Sequence, residues 1–389
     1  MIKLFPRLRK DQNLAKHAVA ARRVLIIAVP ALGDVLLCTP LMRSLRSMAP
    51  DIQLDVLVRR GHGAILEGNS DVTKVVEMNR RPSIGETLAQ LWRLFRSYDL
   101  VISNSTSDRA AIYAFVAGRQ RISMVPPPKP GRIQWKRWVY NGFVEADVEH
   151  SHTLDHTIDL GEILGLRVQP RPVPPRAHNS GAVLAALLGP DWERKEFAIL
   201  QPTPALPYKR WQTQGWRSVA EHLRGLNLEV LVTGDANEKE LEYLHQCIHF
   251  PEGTVTDLAG KLRLGDIPAL LERCAVFVGV DTVVTHVAAA TGTPTVALFG
   301  PSHPVVWGPW PASYQARTPF KKHGSQRVGN VHLLQGPGPC VPCTKQGCLN
   351  HPNSRSDCLS ALAISEVVEA VDQALAQRAR VASSTVGTV

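Results

Sequence analysis

The stretch VLIIAVPALGDVLLCTPLMRSL, residues 24–45, decides the fold. It is almost wholly apolar, yet one carboxylate, Asp34, sits in its middle. The apolar run ahead of Asp34 is about ten residues long, half of the ~20 that a helix needs to cross a bilayer. Arg22 and Arg23 precede it as the basic start of a secretory signal would, but no small-residue cleavage site follows cleanly. The stretch therefore reads as a buried strand over 24–29, a turn through Pro30-Ala31-Leu32-Gly33-Asp34, and a helix start. Gly33 permits a tight turn and close backbone approach. Asp34 falls in the first helical turn, at the carboxyl end of the first strand. Two roles compete there: capping the helix, or facing a cleft as a general base.

The same grammar recurs outward from this stretch. Short apolar runs at 54–58, 72–76, 99–103 and 121–124 predict further strands, separated by amphipathic segments such as 86–97 (ETLAQLWRLFRS). Residues 167–178 (RVQPRPVPPRAH) are proline-rich and aperiodic, which marks a domain edge. The alternation then resumes with strands predicted at 197–201, 228–234, 254–258, 275–280 and 294–300, and with a closing helix over 360–378. The expected architecture is α/β: two Rossmann-like, doubly wound domains facing across a cleft, with ligands at the carboxyl ends of the strands. The expected boundaries are a basic tail over 1–22, a first domain over 23–175, a second over 176–378 and a loose tail over 379–389.

A length of 389 residues fits two domains, and 44% hydrophobic with 20% charged residues excludes wholesale disorder. The net charge of +10 favours anionic partners. Residues 1–23 carry seven basic side chains against Asp11 alone, a net +6 of that +10. This segment is read either as a frayed basic tail or as a peripheral contact with anionic lipid on the cytoplasmic face of the inner membrane. The protein is expected to be cytoplasmic. Four of seven cysteines, Cys340, Cys343, Cys348 and Cys358, cluster within 340–358, which points to a structural zinc or iron site or to reduced thiols rather than a secreted disulfide framework.

The second half carries a denser set of candidates. In QPTPALPYKRW (201–211), Thr203 follows a strand and Lys209 follows a proline-bearing loop, a hydroxyl and an ammonium suited to phosphate oxygens. In VGVDTVVTHVAAATG (278–292) a strand ends at Asp281-Thr282 and a helix of small residues begins, containing His286. Free N–H groups at that helix start suit a pyrophosphate. No acidic residue occurs from Arg109 to Val144, whereas Arg109, Arg132, Lys136 and Arg137 do, with Trp135 and Trp138 among them. That predicts either a solvated basic loop or a site for an anionic acceptor; a nucleic-acid surface is disfavoured because no recognised binding module accompanies it. An oxidoreductase on the same fold units is disfavoured because no G-x-G-x-x-G follows the first strand.

The motifs ALGD-x4-TP (31–40), KRW (209–211) and D-T-x3-H-x-AAA-TGTP-x-VALFGPS (281–302) resemble glycosyltransferase family 9, the ADP-heptose lipopolysaccharide heptosyltransferases, over roughly residues 23–375. The resemblance implies a GT-B fold with the acceptor in the first domain and the nucleotide-sugar in the second. It implies an inverting transfer of heptose from ADP-heptose to a lipopolysaccharide inner-core acceptor, with Asp34 as base. Lys209, Thr203, Asp281, Thr282 and His286 would meet the donor phosphates, Glu238 the ribose and Leu262 the adenine side. No catalytic metal is expected, since no DxD-type acid pair stands out in the second half. Another nucleotide-sugar, a protein acceptor of the autotransporter type, or a non-catalytic sugar-nucleotide sensor are the alternatives. One departure stands out: many members carry Gly where this chain has Val283, so a Cβ is expected to crowd the phosphates or re-aim the turn.

Overall fold

The computed structural model describes residues 13–128, 134–147, 149–248 and 254–386. The chain divides into two compact units. The first runs to Val173 and takes in Gln315–Thr318; the second holds Pro174–Tyr314 and the chain from Pro319 onward.

The first unit is built on a six-stranded parallel sheet: β1 (Arg23–Ile27), β2 (Gln53–Arg59), β3 (Lys74–Met78), β4 (Tyr98–Ser103), β5 (Gly118–Val125) and β6 (Gly142–Glu145), in the order β3-β2-β1-β4-β5-β6. β1 is central, paired with β2 on one side and β4 on the other. Val24 to Ile27 are all fully buried, as a strand covered by helices on both faces requires. Burying each such side chain stabilises the unit by roughly 1.5–3 kcal/mol. The chain runs outward from β1 through β2 to β3 and then restarts from β4 on the other side of β1, so the topological switch lies between β1 and β4.

Helix Leu32–Met48 follows β1 and contains Pro40. Proline has no N–H for the Leu36 carbonyl one turn back. The Thr39 hydroxyl donates to that carbonyl instead, at 2.6 Å, and accepts from the Val173 N–H at 2.7 Å. The Thr-Pro pair is thus a repaired helix turn that also anchors the end of the unit.

Gln315–Thr318 joins this unit through helix Thr153–Ile163. Arg317 pairs with Asp159 at 2.5 Å and Glu162 at 2.8 Å, while Thr318 donates its N–H and hydroxyl to Asp155. These partners lie more than 150 residues apart, and no sequence pattern signalled them.

The second unit has a seven-stranded sheet: β7 (Phe197–Gln201), β8 (Glu229–Val232), β9 (Thr256–Asp257), β10 (Phe277–Val280), β11 (Thr295–Phe299), β12 (Gln326–Val328) and β13 (Val331–Gln335), in the order β12-β13-β11-β10-β7-β8-β9. Only β12 is antiparallel. Its switch point lies between β7 and β10. Trp211 and Trp216 are buried edge to face, ring centroids 5.3 Å apart, in the core beside β7 and β8.

Two predicted tails are partly structured. Leu14–Ala20 is a helix whose Leu14 and Ala18 are fully buried, so the basic segment is folded from there on, while residues 1–12 lie outside the described residues. The closing helix runs Ile364–Val386, past the predicted end at 378. Nothing between Arg378 and Val386 breaks a helix; the first glycine is Gly387. No helix among the described residues is long and apolar enough to cross a membrane.

Candidate active site

Asp34 lies at the carboxyl end of β1, beside the switch point of its sheet. It is the third residue of helix Leu32–Met48, whose N-cap is Ala31 and which has no side-chain cap. Asp34 therefore does not cap the helix from the N-cap position; its carboxylate takes a backbone hydrogen bond from Ala31. Only 4% of Asp34 is exposed. Burial pushes its pKa up to about 6, against the Ala31 hydrogen bond and the nearby Arg59 guanidinium, which favour the charged form. One turn further on, Cys38 is buried, and Asn104, just after β4, donates to its sulfur at 2.7 Å. Burial pushes the Cys38 thiol up to about 12, with the Asp34 charge adding. The thiol is a neutral packing group beside the carboxylate, not a nucleophile.

In the second unit, a polar cluster occupies the switch point between β7 and β10. Lys209 sits on a single 3₁₀ turn, Pro207–Lys209, after β7; Asp281 immediately follows β10. Lys209 Nζ lies 2.6 Å from Asp281 Oδ2, and Ser302, which follows β11, donates its hydroxyl to the same oxygen at 2.5 Å. Burial raises the Asp281 pKa, but Lys209, His286 and the Ser302 hydrogen bond outweigh it and hold the carboxyl below its usual range. Burial lowers the Lys209 pKa, and Asp281 more than offsets it. The pair is ionised at neutral pH.

His286 Nε2 is 3.9 Å from Asp281 Oδ1, and its buried Nδ1 has no hydrogen-bond partner among the described residues. Burial lowers its pKa against the pull of Asp281, so the imidazole is neutral. Thr282 is the N-cap of helix Val283–Thr291 and makes no side-chain cap bond, which leaves N–H groups of the first turn available. Val283 is the first helical residue and is absent from the residues with positive φ. The turn therefore does not need glycine, and the expected re-aiming of the backbone does not occur.

Three consecutive residues fix the loop that carries Lys209. Lys209 pairs with Asp281, Arg210 lies over the Tyr243 ring at 4.3 Å, and Trp211 is buried with its indole N–H on the Leu362 carbonyl. Thr203 is buried after β7; Gln201 donates to its carbonyl and hydroxyl oxygens, and Gln201 in turn accepts from Thr233 at 2.6 Å. A Cβ on Gly234 would come within 2.9 Å of the Thr203 hydroxyl, so glycine is required there by close approach.

Lys209, Asp281, Thr282 and His286 thus come together, and Thr203 stands at the same sheet edge. Glu238 is exposed in the first turn of helix Glu238–Cys247. The acid that hydrogen-bonds Thr203 is Glu240, whose pKa is raised by burial and by Asp235. Leu262 is half-buried in the turn after β9. Ser302, Glu240, Arg59 and Asn104 were not singled out from sequence. Ser302 had a signal, the GPS that follows β11, once β11 was known to flank β10.

The predicted acceptor cations do not form one free cluster. Lys136 pairs with Asp108 at 2.8 Å and Arg137 with Glu145 at 2.6 Å. Those acids flank the acid-free window immediately on either side. Arg109 bonds the Arg80 carbonyl and has no carboxylate partner among the described residues; Arg132 lies outside them.

The four-cysteine metal site is not supported. Among the described residues no group of three or more His, Cys, Asp or Glu side chains is placed to hold a metal ion. All four thiols are free; burial pushes Cys358 up to about 11, and the neighbouring Cys343, Cys348 and Cys340 add to this against a Leu359 backbone hydrogen bond.

The model of glycosyltransferase family 9 (heptosyltransferase) matches residues 88–328, more than half of the chain. The chain belongs to glycosyltransferase family 9. It is 24% identical over 286 residues to lipopolysaccharide heptosyltransferase 3 of Escherichia coli, covering 72% of this chain and 83% of that protein. Among solved structures it is similar to a glycosyltransferase family 9 protein from Veillonella parvula, with a TM-score of 0.71 at 19% identity, covering 92% and 97% of the two chains. It is also similar to the E. coli ADP-heptose lipopolysaccharide heptosyltransferase II, with a TM-score of 0.69 at 18% identity over 92% and 99%. The fold is accordingly GT-B, two Rossmann-like units, and the protein is a glycosyltransferase.

Proposed function

We propose that this family 9 glycosyltransferase moves heptose from ADP-heptose to an anionic lipopolysaccharide inner-core acceptor, with inversion at the anomeric carbon. Asp34 carries the reading: a carboxylate buried at the carboxyl end of the central strand, with a pKa near 6. Such a group is ionised at neutral pH yet basic enough to accept a proton as a sugar hydroxyl attacks.

The acceptor oxygen bonds to the anomeric carbon as that carbon's bond to the diphosphate oxygen breaks. Asp34 Oδ takes the hydroxyl proton, and the electron pair of the broken bond leaves on the nucleotide diphosphate. Lys209 has three N–H donors, and Asp281 oxygens do not occupy all of them, so one is available to a phosphate oxygen. The Thr282 helix start and neutral His286 supply further donors for the growing charge. Asp281 and Ser302 fix the Lys209 ammonium in place. Thr203 with Glu240, rather than Glu238, stands where a ribose hydroxyl would be held, and Leu262 offers the apolar contact for adenine. Arg109 is an acceptor-side cation that no carboxylate among the described residues neutralises.

A donor screen by calorimetry tests this: ADP-heptose against UDP- and GDP-sugars. Micromolar binding of ADP-heptose with weak or absent binding of the others is expected. Binding of only a non-ADP donor would overturn the assignment.

A further inference from the structure

We propose that helices Ile84–Leu94 and Asp108–Ala117 of the first unit form a face that docks on an anionic phospholipid bilayer. The observation is an amphipathic helix turned partly inside out. Leu94 of the first helix is buried, whereas Ile84, Leu88, Trp92 and the following Phe95 are 81%, 61%, 80% and 59% exposed. Residues 84, 88 and 92 stand one above another at i, i+4 spacing, so the outward stripe is continuous. The Trp92 and Phe95 rings are stacked, centroids 6.4 Å apart. The adjoining helix exposes Ile112 and Phe115 as well. The Tyr113 hydroxyl donates to Gln90 at 2.9 Å, and the Arg96 N–H to the Val116 carbonyl at 2.9 Å, which hold the helices side by side. Single exposed apolar residues are ordinary; three aromatics and three aliphatics grouped on and beside neighbouring helices mark an interaction surface.

The charge around this face selects the partner. Arg96 and Arg121 each donate to the Gly118 carbonyl, at 3.2 and 3.0 Å, and the Arg121 guanidinium lies over the Phe115 ring at 5.4 Å. Arg93 and Arg119 are exposed beside them. Among the described residues none of these four arginines has a carboxylate at ion-pair distance. The acids on the two helices are engaged elsewhere: Glu86 in the capping box with Ser83, Asp108 with Lys136. Two guanidinium groups converging on one carbonyl, with no acid to answer them, suit a phosphate. Aromatic and aliphatic side chains with arginines at the rim match the interfacial zone of a bilayer, rings at the headgroup level and cations on the phosphates. A second copy of this chain would bring the same arginines to the contact. The sequence of residues 1–12 is also basic, Lys3, Arg7, Arg9 and Lys10 against Asp11. Both are disfavoured as occupants by like charge.

The test is flotation of the full chain with phosphatidylcholine vesicles, with and without a roughly one-quarter fraction of phosphatidylglycerol. The wild type is expected to float with the anionic vesicles and at least tenfold less with neutral ones. The triple variant Leu88→Ser, Trp92→Ser, Phe95→Ser is expected to lose binding at least tenfold while its circular dichroism and thermal melt are unchanged. Arg93→Glu with Arg119→Glu should abolish the preference for anionic vesicles. Undiminished flotation of the triple variant, as a contact through residues 1–12 would give, overturns the proposal. So does a wild type that ignores vesicles, or one whose self-association, followed by sedimentation, is what the triple variant abolishes. The vesicles contain neither donor nor acceptor, so this result stands or falls apart from the proposed transfer.

Discussion

Replacing Asp34 by Asn should make the protein more stable at neutral pH while removing its activity. The folded state holds Asp34 at a pKa of about 6, against about 4 in an unfolded chain. Folding therefore raises the pKa, and the folded state keeps a proton that the unfolded chain releases. The stability tied to that proton is fully present below about pH 4 and is lost as pH rises through about 6. Two pKa units at 1.36 kcal/mol each make the loss about 3 kcal/mol by pH 7. Asn fills the same space, stays neutral and still accepts from the Ala31 N–H, so it avoids the loss. For a unit of this size, about 3 kcal/mol corresponds to a melting shift of roughly 6–12 °C. Differential scanning fluorimetry of both proteins from pH 4 to 8 measures it. The Asn variant should melt with the wild type near pH 4 and progressively above it toward pH 8. A gap that does not change with pH, or an Asn variant that is less stable at pH 7, would refute the claim that Asp34 is a strained, buried carboxylate.

Other outcomes follow from the same geometry. The rate of transfer should rise with pH through about 6 and level off above it, since Asp34 must be ionised to take a proton. Arg59→Leu should move that limb to higher pH, because the guanidinium favours the charged carboxylate; an unmoved limb in the pH–rate profile would remove Arg59 from the site. Lys209→Met leaves Asp281 buried and unpaired and should destabilise by about 3–5 kcal/mol, with much of that recovered by adding Asp281→Asn. Denaturant titration of the two single variants and the double variant checks the coupling. Arg137→Gln should leave the acceptor KM unchanged, because that cation already answers Glu145.

Most of the strands were legible because those buried on both faces read as short apolar runs. VLIIAV at 24–29 and AVFVGV at 275–280 are such runs; β1 starts one residue ahead of the first, at Arg23, and β10 lies within the second. β6, β12 and β13 were missed. GFVE is four residues long and follows a loop, and VHLLQ carries no turn signal that sets it apart. The residues proposed to meet the donor cluster in sequence after two strand ends, and the pairing of those strands brings Lys209, Asp281 and His286 together. Lys209 and Asp281 are 72 residues apart but follow the carboxyl ends of the paired strands β7 and β10.

What failed were inferences from local composition. The acid-free window around Lys136 and Arg137 suggested free cations, but the acids one residue outside it neutralise both. Four cysteines within nineteen residues suggested a ligand set, yet proximity in sequence did not place the sulfurs in one. The resemblance pointed to Glu238 for the ribose; Glu240, two positions on in the same helical turn, is the acid that the fold brings to Thr203. The exposed stripe of 84–95 looked like an ordinary amphipathic helix; periodicity reports a face, not which way the face points.

The most direct test of the central claim is single-turnover transfer from ADP-heptose by wild type and Asp34→Asn, with donor affinity measured on the same samples. A fall of at least ~100-fold in the transfer rate with donor affinity unchanged is predicted, the scale of losing a general base. Undiminished transfer by the Asn variant would contradict it.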